Sequence, residues 1–360
     1  MSDCKTVRLG EILQIQPKSK IKAGDGSKVG IFPFYTCSNE LTKKIDTADY
    51  EGPALVFGTG GNASVHYVNG KFSTSTDCLV YKTNSNTNLS LINKYLRANI
   101  YLLENGFKGA GLKHISRDYI SNIEIKLPDS TIQEKVVSQL DLLESNITKH
   151  KTILEKLDLL IKSRFIEMFG NNPTENKKWK IETLGNHLIT IDNGKSFVCS
   201  DSMRKGEYPA ILKLSAVTYG EYNQNENKAL LDEDMFLKKV EVKQGDLLFT
   251  RKNTPELVGM AAYVFETERN LMMPDLIFRL NVKDDLNKLY LWKLINHPLF
   301  RKRIQNLANG SAKSMSNISK ERLQALKIPV PPLALQNEFS SFVQQIDKSK
   351  FEYNIEEIAA

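Results

Sequence analysis

The chain is a tandem repeat, and this feature constrains its fold more than any other. Each half opens with a Leu-Gly pair, at Leu9-Gly10 and at Leu184-Gly185. Each half closes with an Ile-Ser pair and a strand-like segment that ends at proline, over 115–128 and over 318–331. A duplication with different interiors predicts two similar domains that bind two similar targets. It disfavours a single catalytic pocket.

Length and composition are those of an ordinary globular protein. At 360 residues, with 41% apolar and 25% charged residues, the chain is long enough for two domains that each bury a core. The net charge of +7 favours a polyanionic partner only moderately. The four cysteines lack C-x-x-C spacing and predict reduced thiols. We find no secretory signal and no membrane helix, so we expect a cytoplasmic protein without a membrane partner.

Each half mixes short strands with a helix, which predicts an α+β fold class. The strands are short β-branched or aromatic runs bounded by turn residues. Two strands and one helix are predicted in the same order in each half, over 54–57, 78–81 and 91–103 in the first half and over 246–250, 275–279 and 288–295 in the second. We therefore expect two similar mixed domains, over residues 1–128 and 171–332, and the first residues of the second range, 171–180, form a polar linker.

The segment between the domains, residues 129–170, predicts one long helix. Neither proline nor glycine interrupts it from Ser130 to Met168, and a helix of this length would span roughly 60 Å. Apolar residues recur at steps of three and four, which is typical of a heptad seam, at Val136, Leu140, Leu143, Ile147, Leu154, Leu157 and Ile161. The C-terminal segment, residues 333–360, carries a matching seam at Phe339, Val343, Ile346 and Tyr353. Because a whole domain separates the two helices, we expect them to pair as an antiparallel coiled coil.

No motif in the chain predicts an active site. The glycine-rich string from Phe57 to Asn62 lacks the spacing of phosphate-binding or S-adenosylmethionine-binding loops, and we interpret it as a tight turn after a strand. The histidines have no metal-ligand spacing. Pro274-Asp275 opens a nuclease-like string that Arg279 does not complete. We therefore predict neither catalytic residues nor a metal site.

Basic loops before each Ile-Ser pair are candidates for DNA binding. Small residues let a backbone approach phosphates, and lysines neutralise them. The string Phe249–Thr254 is a further candidate, because Arg and Asn side chains can read guanine and adenine edges. The predicted contact residues are Lys108, Lys113 and His114 in the first domain and Arg251, Lys252, Asn253, Ser311 and Lys313 in the second. The alternative interpretation is an ordinary solvated face.

Taken together, these passages resemble the DNA-specificity subunits of type I restriction-modification systems. The resemblance is carried by 114–133, by Arg164–Gly170 leading to Trp179, and by Pro329–Phe339. It covers the whole chain in architecture, and its motifs are specific in the helical segments. The first copy departs from the pattern, since it reads Pro128-Asp129 where the second copy has Pro331-Pro332.

The resemblance implies a non-catalytic subunit with two target-recognition domains that read an asymmetric, bipartite sequence in double-stranded DNA. The helices would dock two methyltransferase (modification) subunits and, through them, restriction or translocase subunits. This chain would need no cofactor, since S-adenosylmethionine, ATP and Mg²⁺ would belong to the partners. Two alternatives remain: a DNA methyltransferase or nuclease with duplicated recognition modules, and a coiled-coil adaptor that does not bind DNA.

Overall fold

The computed structural model consists of two compact units, Met1–Thr148 and Lys149–Ala360, here called the N-terminal and C-terminal units. It describes residues 4–83, 85–172, 178–308 and 315–350, and for 351–359 the helical backbone alone. The predicted linker at 171–180 lies partly outside these ranges. Within them, no helix is both long enough and apolar enough to cross a membrane.

Short strands and helices alternate in the N-terminal unit. In chain order, they are β1 (Lys5–Arg8), α1 (Leu9–Ile12), β2 (Leu13–Ile15), β3 (Phe32–Tyr35), β4 (Lys43–Ile45), β5 (Tyr50–Glu51), β6 (Ala54–Gly58), β7 (Ser64–Val68), β8 (Lys71–Thr74), β9 (Cys78–Thr83), α2 (Leu89–Ala98), α3 (Tyr101–Glu104), α4 (Arg117–Asn122), β10 (Glu124–Leu127) and the first turns of α5 (Ser130–Phe169). A 3₁₀ turn covers Ala23–Asp25.

The C-terminal unit takes the last turns of α5 and then repeats this order. Its further elements are β11 (Lys180–Thr183), β12 (Leu188–Asn193), β13 (Ala210–Leu212), α6 (Ser215–Thr218), β14 (Asn227–Ala229), β15 (Leu247–Thr250), β16 (Lys252–Asn253), β17 (Ala261–Tyr263), β18 (Leu271–Met272), β19 (Ile277–Val282), α7 (Lys288–Asn296), α8 (Pro298–Gln305), β20 (Ser316–Asn317), α9 (Lys320–Gln324), β21 (Lys327–Val330) and α10 (Leu333–Ala359). Three 3₁₀ turns cover Leu184–His187, Glu233–Met235 and Lys238–Val240.

Both units contain the same four-stranded antiparallel sheet. The strand order is β2-β9-β6-β7 in the N-terminal unit and β12-β19-β15-β17 in the C-terminal unit. A second sheet pairs β3 with β8 in parallel and with β4 antiparallel, and β13, β18 and β14 repeat this arrangement. The duplication in the sequence is therefore a duplication of the fold, and the predicted α+β class with two similar domains is confirmed.

The Leu-Gly and Ile-Ser motifs join the beginning and the end of each domain. β1 pairs antiparallel with β10, and β11 pairs antiparallel with β21. Leu9 is fully buried, and its N–H donates to the carbonyl of Ile123 at 3.0 Å, while Leu184 makes the equivalent bond at 2.8 Å. Ser116 and Ser319 cap α4 and α9 with their side-chain oxygens. These repeated residues close each domain.

A glutamine at the same place in each long helix ties that helix to its domain. Oε1 of Gln133 accepts the N–H of Asn88, the residue that caps α2, and Nε2 donates to the carbonyl of Pro128, both at 2.9 Å. Oε1 of Gln336 likewise accepts the N–H of Asn287, the cap of α7, at 2.9 Å. Its Nε2 donates to the carbonyl of Pro331 at 2.8 Å, as Nε2 of Gln133 does to Pro128.

The last turns of α5 pair antiparallel with α10, as predicted. Arg164 donates to Glu338 near the start of α10 at 2.7 Å. Asp158 lies earlier in α5 and pairs with Lys350, which lies further along α10. The two helices therefore run in opposite directions.

Aromatic rings hold this helix pair in the core of the C-terminal unit. Phe165 and Phe169 lie with ring centroids 5.4 and 5.6 Å from that of Phe339. Both rings also contact Tyr290 of α7, at 5.9 and 4.8 Å. Phe165 and Phe169 thus continue the buried face of α5 beyond Ile161, because the end of the helix packs on a domain core as well as on its partner helix.

Within the helix pair, most predicted seam residues are covered. Three of the predicted residues are buried in this core, namely Ile161, Phe339 and Val343. Ile346 packs against the same core, and Leu154 and Leu157 are half-buried. The side chain of Tyr353 lies outside the described residues.

The first turns of α5 pack on the N-terminal domain, and the pairing of Val136, Leu140, Leu143 and Ile147 with another helix stays a prediction. Val136 contacts the core of the N-terminal unit, and its neighbour Val137 is buried in that core. Leu140 is half-buried, whereas Leu143 and Ile147 are 41% and 40% exposed. The buried face here is set by the domain beneath the helix.

The helix predicted over 91–103 is in fact two helices, α2 and α3. α2 ends at Asn99, where the backbone leaves the helical conformation (φ −119°, ψ 47°) and the side-chain Nδ2 donates to the carbonyl of Tyr95 at 2.9 Å. A side chain that competes for main-chain acceptors in this way favours a helix end. The predicted domain boundaries at 128, 170 and 332 remain predictions.

Candidate nucleic-acid interface

In the N-terminal unit, the glycine-rich turn after β6 pairs with the basic loop that precedes the first Ile-Ser pair. Gly60 forms a β-bridge with His114, and the N–H of Ile115 donates to the carbonyl of Thr59 at 3.1 Å. The imidazole Nδ1 of His114 lies 3.2 Å from that same carbonyl. We call the turn over 58–62 and the loop over 108–114 the N-terminal paired loops.

The C-terminal unit pairs the same two segments. β16 pairs with β20, and the N–H of Ile318 donates to the carbonyl of Arg251 at 2.8 Å. Arg251 is therefore the structural counterpart of Thr59, and Asn317 is the counterpart of His114. We call the segments over 250–254 and 315–317 the C-terminal paired loops.

Three backbone amides of the glycine-rich turn donate hydrogen bonds within the protein. The N–H groups of Thr59, Gly60 and Gly61 donate to the Asp77 carbonyl at 2.9 Å, the Cys37 sulfur at 3.4 Å and the Lys113 carbonyl at 3.2 Å. The turn needs glycine at residue 61, where φ is +79°. These three bonds hold the backbone of the turn in place, which supports its interpretation as a structural turn.

The turn also positions an unusual thiol. Cys37 is half-buried, and its thiol donates to the carbonyl of Asp77 at 3.0 Å. A hydrogen bond from Cys78 lowers the pKa of Cys37 below its ordinary value, and the N–H of Gly60 acts in the same direction. The same contact and burial raise the pKa of Cys78.

The three residues predicted in the first basic loop lie together at the surface. The N–H of Lys108 donates to the carbonyl of His114 at 2.9 Å, and the N–H of His114 returns the bond at 3.0 Å. Lys108, Lys113 and His114 are all exposed. Within the described residues, no carboxylate forms an ion pair with either lysine, so their charges face solvent uncompensated.

Arg251 and Lys252 are half-buried in the C-terminal paired loops. Nε and Nη2 of Arg251 both lie 3.3 Å from Oδ1 of Asn317, and its guanidinium carbon lies 5.0 Å from the ring centroid of Phe278. Lys320 reaches the same ring, with Nζ 5.8 Å from the centroid.

The other predictions in this region do not all reach the surface. Asn253 is only 7% exposed; its Nδ2 donates to the hydroxyl of Thr218 at 3.1 Å, and its Oδ1 accepts the N–H of Thr254 at 2.8 Å. Those bonds indicate that the Asn253 side chain stabilises the loop, so we do not expect it to contact DNA. Ser311 and Lys313 lie outside the described residues.

Residues 301–327 are rich in lysine and arginine, and several of these side chains form hydrogen bonds within the domain. Arg301 donates to the carbonyls of Gly259 and Val258 at 2.6 and 2.7 Å, and burial lowers its pKa. Arg322 donates to the carbonyl of Leu307 at 3.0 Å. These bonds hold the two guanidinium groups in place, so they are less free to reach a partner than their number in the sequence suggests.

The nuclease-like string is held by structural contacts. Asp275 accepts a hydrogen bond from Ser196, and Arg279 pairs with Asp246 at 3.3 Å, both of the latter being buried. Burial raises the pKa of Asp246. Across the described part of the chain, no group of His, Cys, Asp and Glu side chains has the geometry of a metal site.

Two residues of the interface were not singled out from the sequence. Asn317 precedes Ile318 as His114 precedes Ile115, so aligning the two repeats residue by residue would have identified it. Cys37 lies far from the glycine-rich turn in sequence, and no local pattern connects the two.

Comparisons with known proteins agree with this architecture. The sequence matches the family described as type I restriction modification DNA specificity domain over residues 1–159 and 176–359. The EcoEI type I restriction enzyme specificity subunit of Escherichia coli is 31% identical over 172 residues, which are 47% of this chain and 29% of that protein. The EcoDI specificity subunit of E. coli is 23% identical over 96% of this chain and 81% of that protein.

A solved structure shows the same fold. The S subunit of a type I restriction-modification system from M. genitalium superposes with a TM-score of 0.69, at 11% identity, and covers 99% of this chain and 93% of that one. The EcoEI match, by contrast, spans less than a third of the EcoEI subunit's length.

Proposed function

Because the chain belongs to the family of type I restriction modification DNA specificity domains, we propose that it is the non-catalytic specificity subunit of such a system. In this proposal, each unit's paired loops contact one part of a bipartite sequence in double-stranded DNA. The target-recognition domains would be residues 1–128 and 171–332, joined by the helices at 129–170 and 333–360.

One observation carries the proposal: the same backbone pairing presents different side chains in the two units. The position of Thr59 in the N-terminal unit is taken by Arg251 in the C-terminal unit, and that of His114 by Asn317. Two domains with the same backbone pairing but different side chains at matching positions are suited to binding two different DNA sequences. The exposed Lys108 and Lys113 supply uncompensated charge for phosphates.

The partners follow from the same assignment. Relatives are named specificity subunits of type I restriction enzymes, so we expect two modification methyltransferase subunits and, through them, restriction subunits to assemble with this chain. S-adenosylmethionine, ATP and Mg²⁺ would act in those partners. Leu159 and Leu160 of α5 are 61% and 46% exposed and offer apolar surface for such docking. The expected location is the cytoplasm.

The enzyme alternative lacks support in the glycine-rich turn. Three of its amides already donate to groups within the protein, so they are not available to bind S-adenosylmethionine or a phosphate. A methyltransferase would bind or consume labelled S-adenosylmethionine as purified protein, whereas we expect neither from this chain alone.

The adaptor alternative is tested by the salt dependence of DNA binding. Counterion release lowers log K linearly with log salt, by about 0.9 per phosphate contact on duplex DNA. We expect a steep slope for the chain in complex with its modification subunits. Replacing Lys108 and Lys113 by alanine should reduce that slope by about 1.8 if each lysine contacts one phosphate.

Matched alanine variants of two exposed lysines outside the loops, Lys71 and Lys126, serve as controls. They should leave the slope unchanged. Weak binding that is insensitive to salt would favour the adaptor and overturn the proposal.

A further inference from the structure

In the part of the chain that the structure describes, neutral groups orient the guanidinium of Arg251. Asn317 accepts from its Nε and Nη2, and the ring of Phe278 lies beneath it. Within the described residues, no carboxylate lies within ion-pair distance of it. Arg279 of the same unit is, by contrast, neutralised by Asp246 at 3.3 Å. Arg251 thus combines a fixed orientation with a full, uncompensated charge.

Among the described residues, this arrangement leaves an ordered pair of donors unused. Asn317 takes the N–H of Nε and one N–H of Nη2, which leaves both hydrogens of Nη1 and the second hydrogen of Nη2. Neighbouring N–H groups on Nη1 and Nη2 lie in one plane and match two acceptors side by side. The O6 and N7 atoms of guanine form such an acceptor pair in the major groove.

Orientation in advance makes such a contact selective. A guanidinium already held by Asn317 and Phe278 loses little side-chain freedom on binding, so more of its hydrogen-bond energy remains for discrimination. A lysine at this position would keep the charge but present no planar fork.

The equivalent position in the N-terminal unit cannot make this contact. Thr59 has a single hydroxyl, and that hydroxyl donates to the carbonyl of Asp77 at 2.8 Å. The fork is therefore a property of the C-terminal paired loops, and a change in Arg251 should affect one half of a bipartite target only.

We propose that Arg251 reads a guanine in the half-site bound by the C-terminal unit, and that Asn317 is the residue that positions its guanidinium. The inference rests on the proposed function, because it assumes that the C-terminal paired loops face DNA.

The test maps modified bases across the genome of cells that express the chain with its modification methyltransferase. With the wild-type chain, we expect one bipartite motif whose C-terminal half-site contains a G·C pair. Arg251→Lys should relax the motif at that pair, with about a ten-fold or greater loss of discrimination, and leave the other half-site intact. Asn317→Ala should weaken discrimination at the same pair by a smaller factor.

Asn317→Asp adds a second, independent variant. Its carboxylate would neutralise Arg251 and should also relax the same pair. Arg97→Lys is the matched control, since Arg97 is an exposed arginine of α2 outside the paired loops, and its variant should leave the motif unchanged. The intact half-site reports that each variant is folded and assembled.

Two results would overturn the inference and leave the proposed function standing. One is an unchanged motif in the Arg251 and Asn317 variants. The other is a uniform fall in modification at all sites, which is expected of a phosphate contact. The absence of any sequence-specific motif with the wild-type chain would overturn the proposed function and the guanine assignment together.

Discussion

At the scale of single residues, the two units differ most at the paired loops. The turn of the N-terminal unit contains glycines and an engaged thiol, whereas the C-terminal unit has Arg251 clamped by Asn317. The sequence located most of these segments because composition marks them: glycine, serine and lysine cluster before each Ile-Ser pair. It could not tell which side chains face outward. Asn253 is the example, since it is buried and donates to Thr218 of α6, a residue distant in sequence.

The thiol of Cys37 gives a prediction at this scale. Its lowered pKa means that the thiolate is already present at a pH where an ordinary thiol, with a pKa of roughly 8.5, remains protonated. We expect iodoacetamide to label Cys37 with a pH midpoint clearly below that value, and several-fold faster near pH 7 than the exposed Cys4. Mass spectrometry of the labelled peptides measures both rates.

Cys78→Ala provides the control for the cause. It removes the main hydrogen bond that stabilises the thiolate, so the labelling midpoint of Cys37 should rise toward the ordinary value. A wild-type midpoint near that of a free thiol would show that the contact with Cys78 does not form.

At the scale of elements, the positions of the long helices were the easiest feature to predict from the sequence. The neighbours against which these helices pack were the hardest. Uninterrupted helix-forming sequence with steps of three and four predicted α5 and its antiparallel partner. The periodicity did not show which neighbour covers each turn. Val137 faces the N-terminal core, and Phe165 faces an aromatic cluster of the C-terminal unit, so the buried face changes along the helix.

A prediction at this scale concerns Gln336, whose side chain links the start of α10 to Asn287, the cap of α7. Gln336→Leu would leave the N–H of Asn287 and the carbonyl of Pro331 without these bonds. An unsatisfied buried polar group costs about 1–3 kcal/mol, so we expect a loss of at least about 2 kcal/mol in the free energy of unfolding. Urea titration followed by circular dichroism measures it.

Gln344→Leu is the matched control, since it makes the same substitution at an exposed position of the same helix. We expect a change within about 0.5 kcal/mol. Equal effects of the two substitutions would mean that Gln336 does not join the helix to its domain.

At the scale of the whole molecule, the repeat predicted more than any single motif. Paired Leu-Gly and Ile-Ser motifs predicted two equivalent domains, and the identical strand orders of the two sheets bear this out. The small parallel pairings, β3 with β8 and β13 with β18, were not predicted, because they join strands that are distant in sequence and carry no local signal. Different side chains on one repeated scaffold are what link this architecture to a bipartite target.

The most direct test of the central claim compares base-modification maps of cells that carry the modification methyltransferase with and without this chain. The account predicts one bipartite motif with a fixed spacer, present only when the chain is expressed. Two results would contradict it. One is an active methyltransferase that forms a stable complex with the chain but modifies no defined motif. The other is modification of the same motif in cells without the chain.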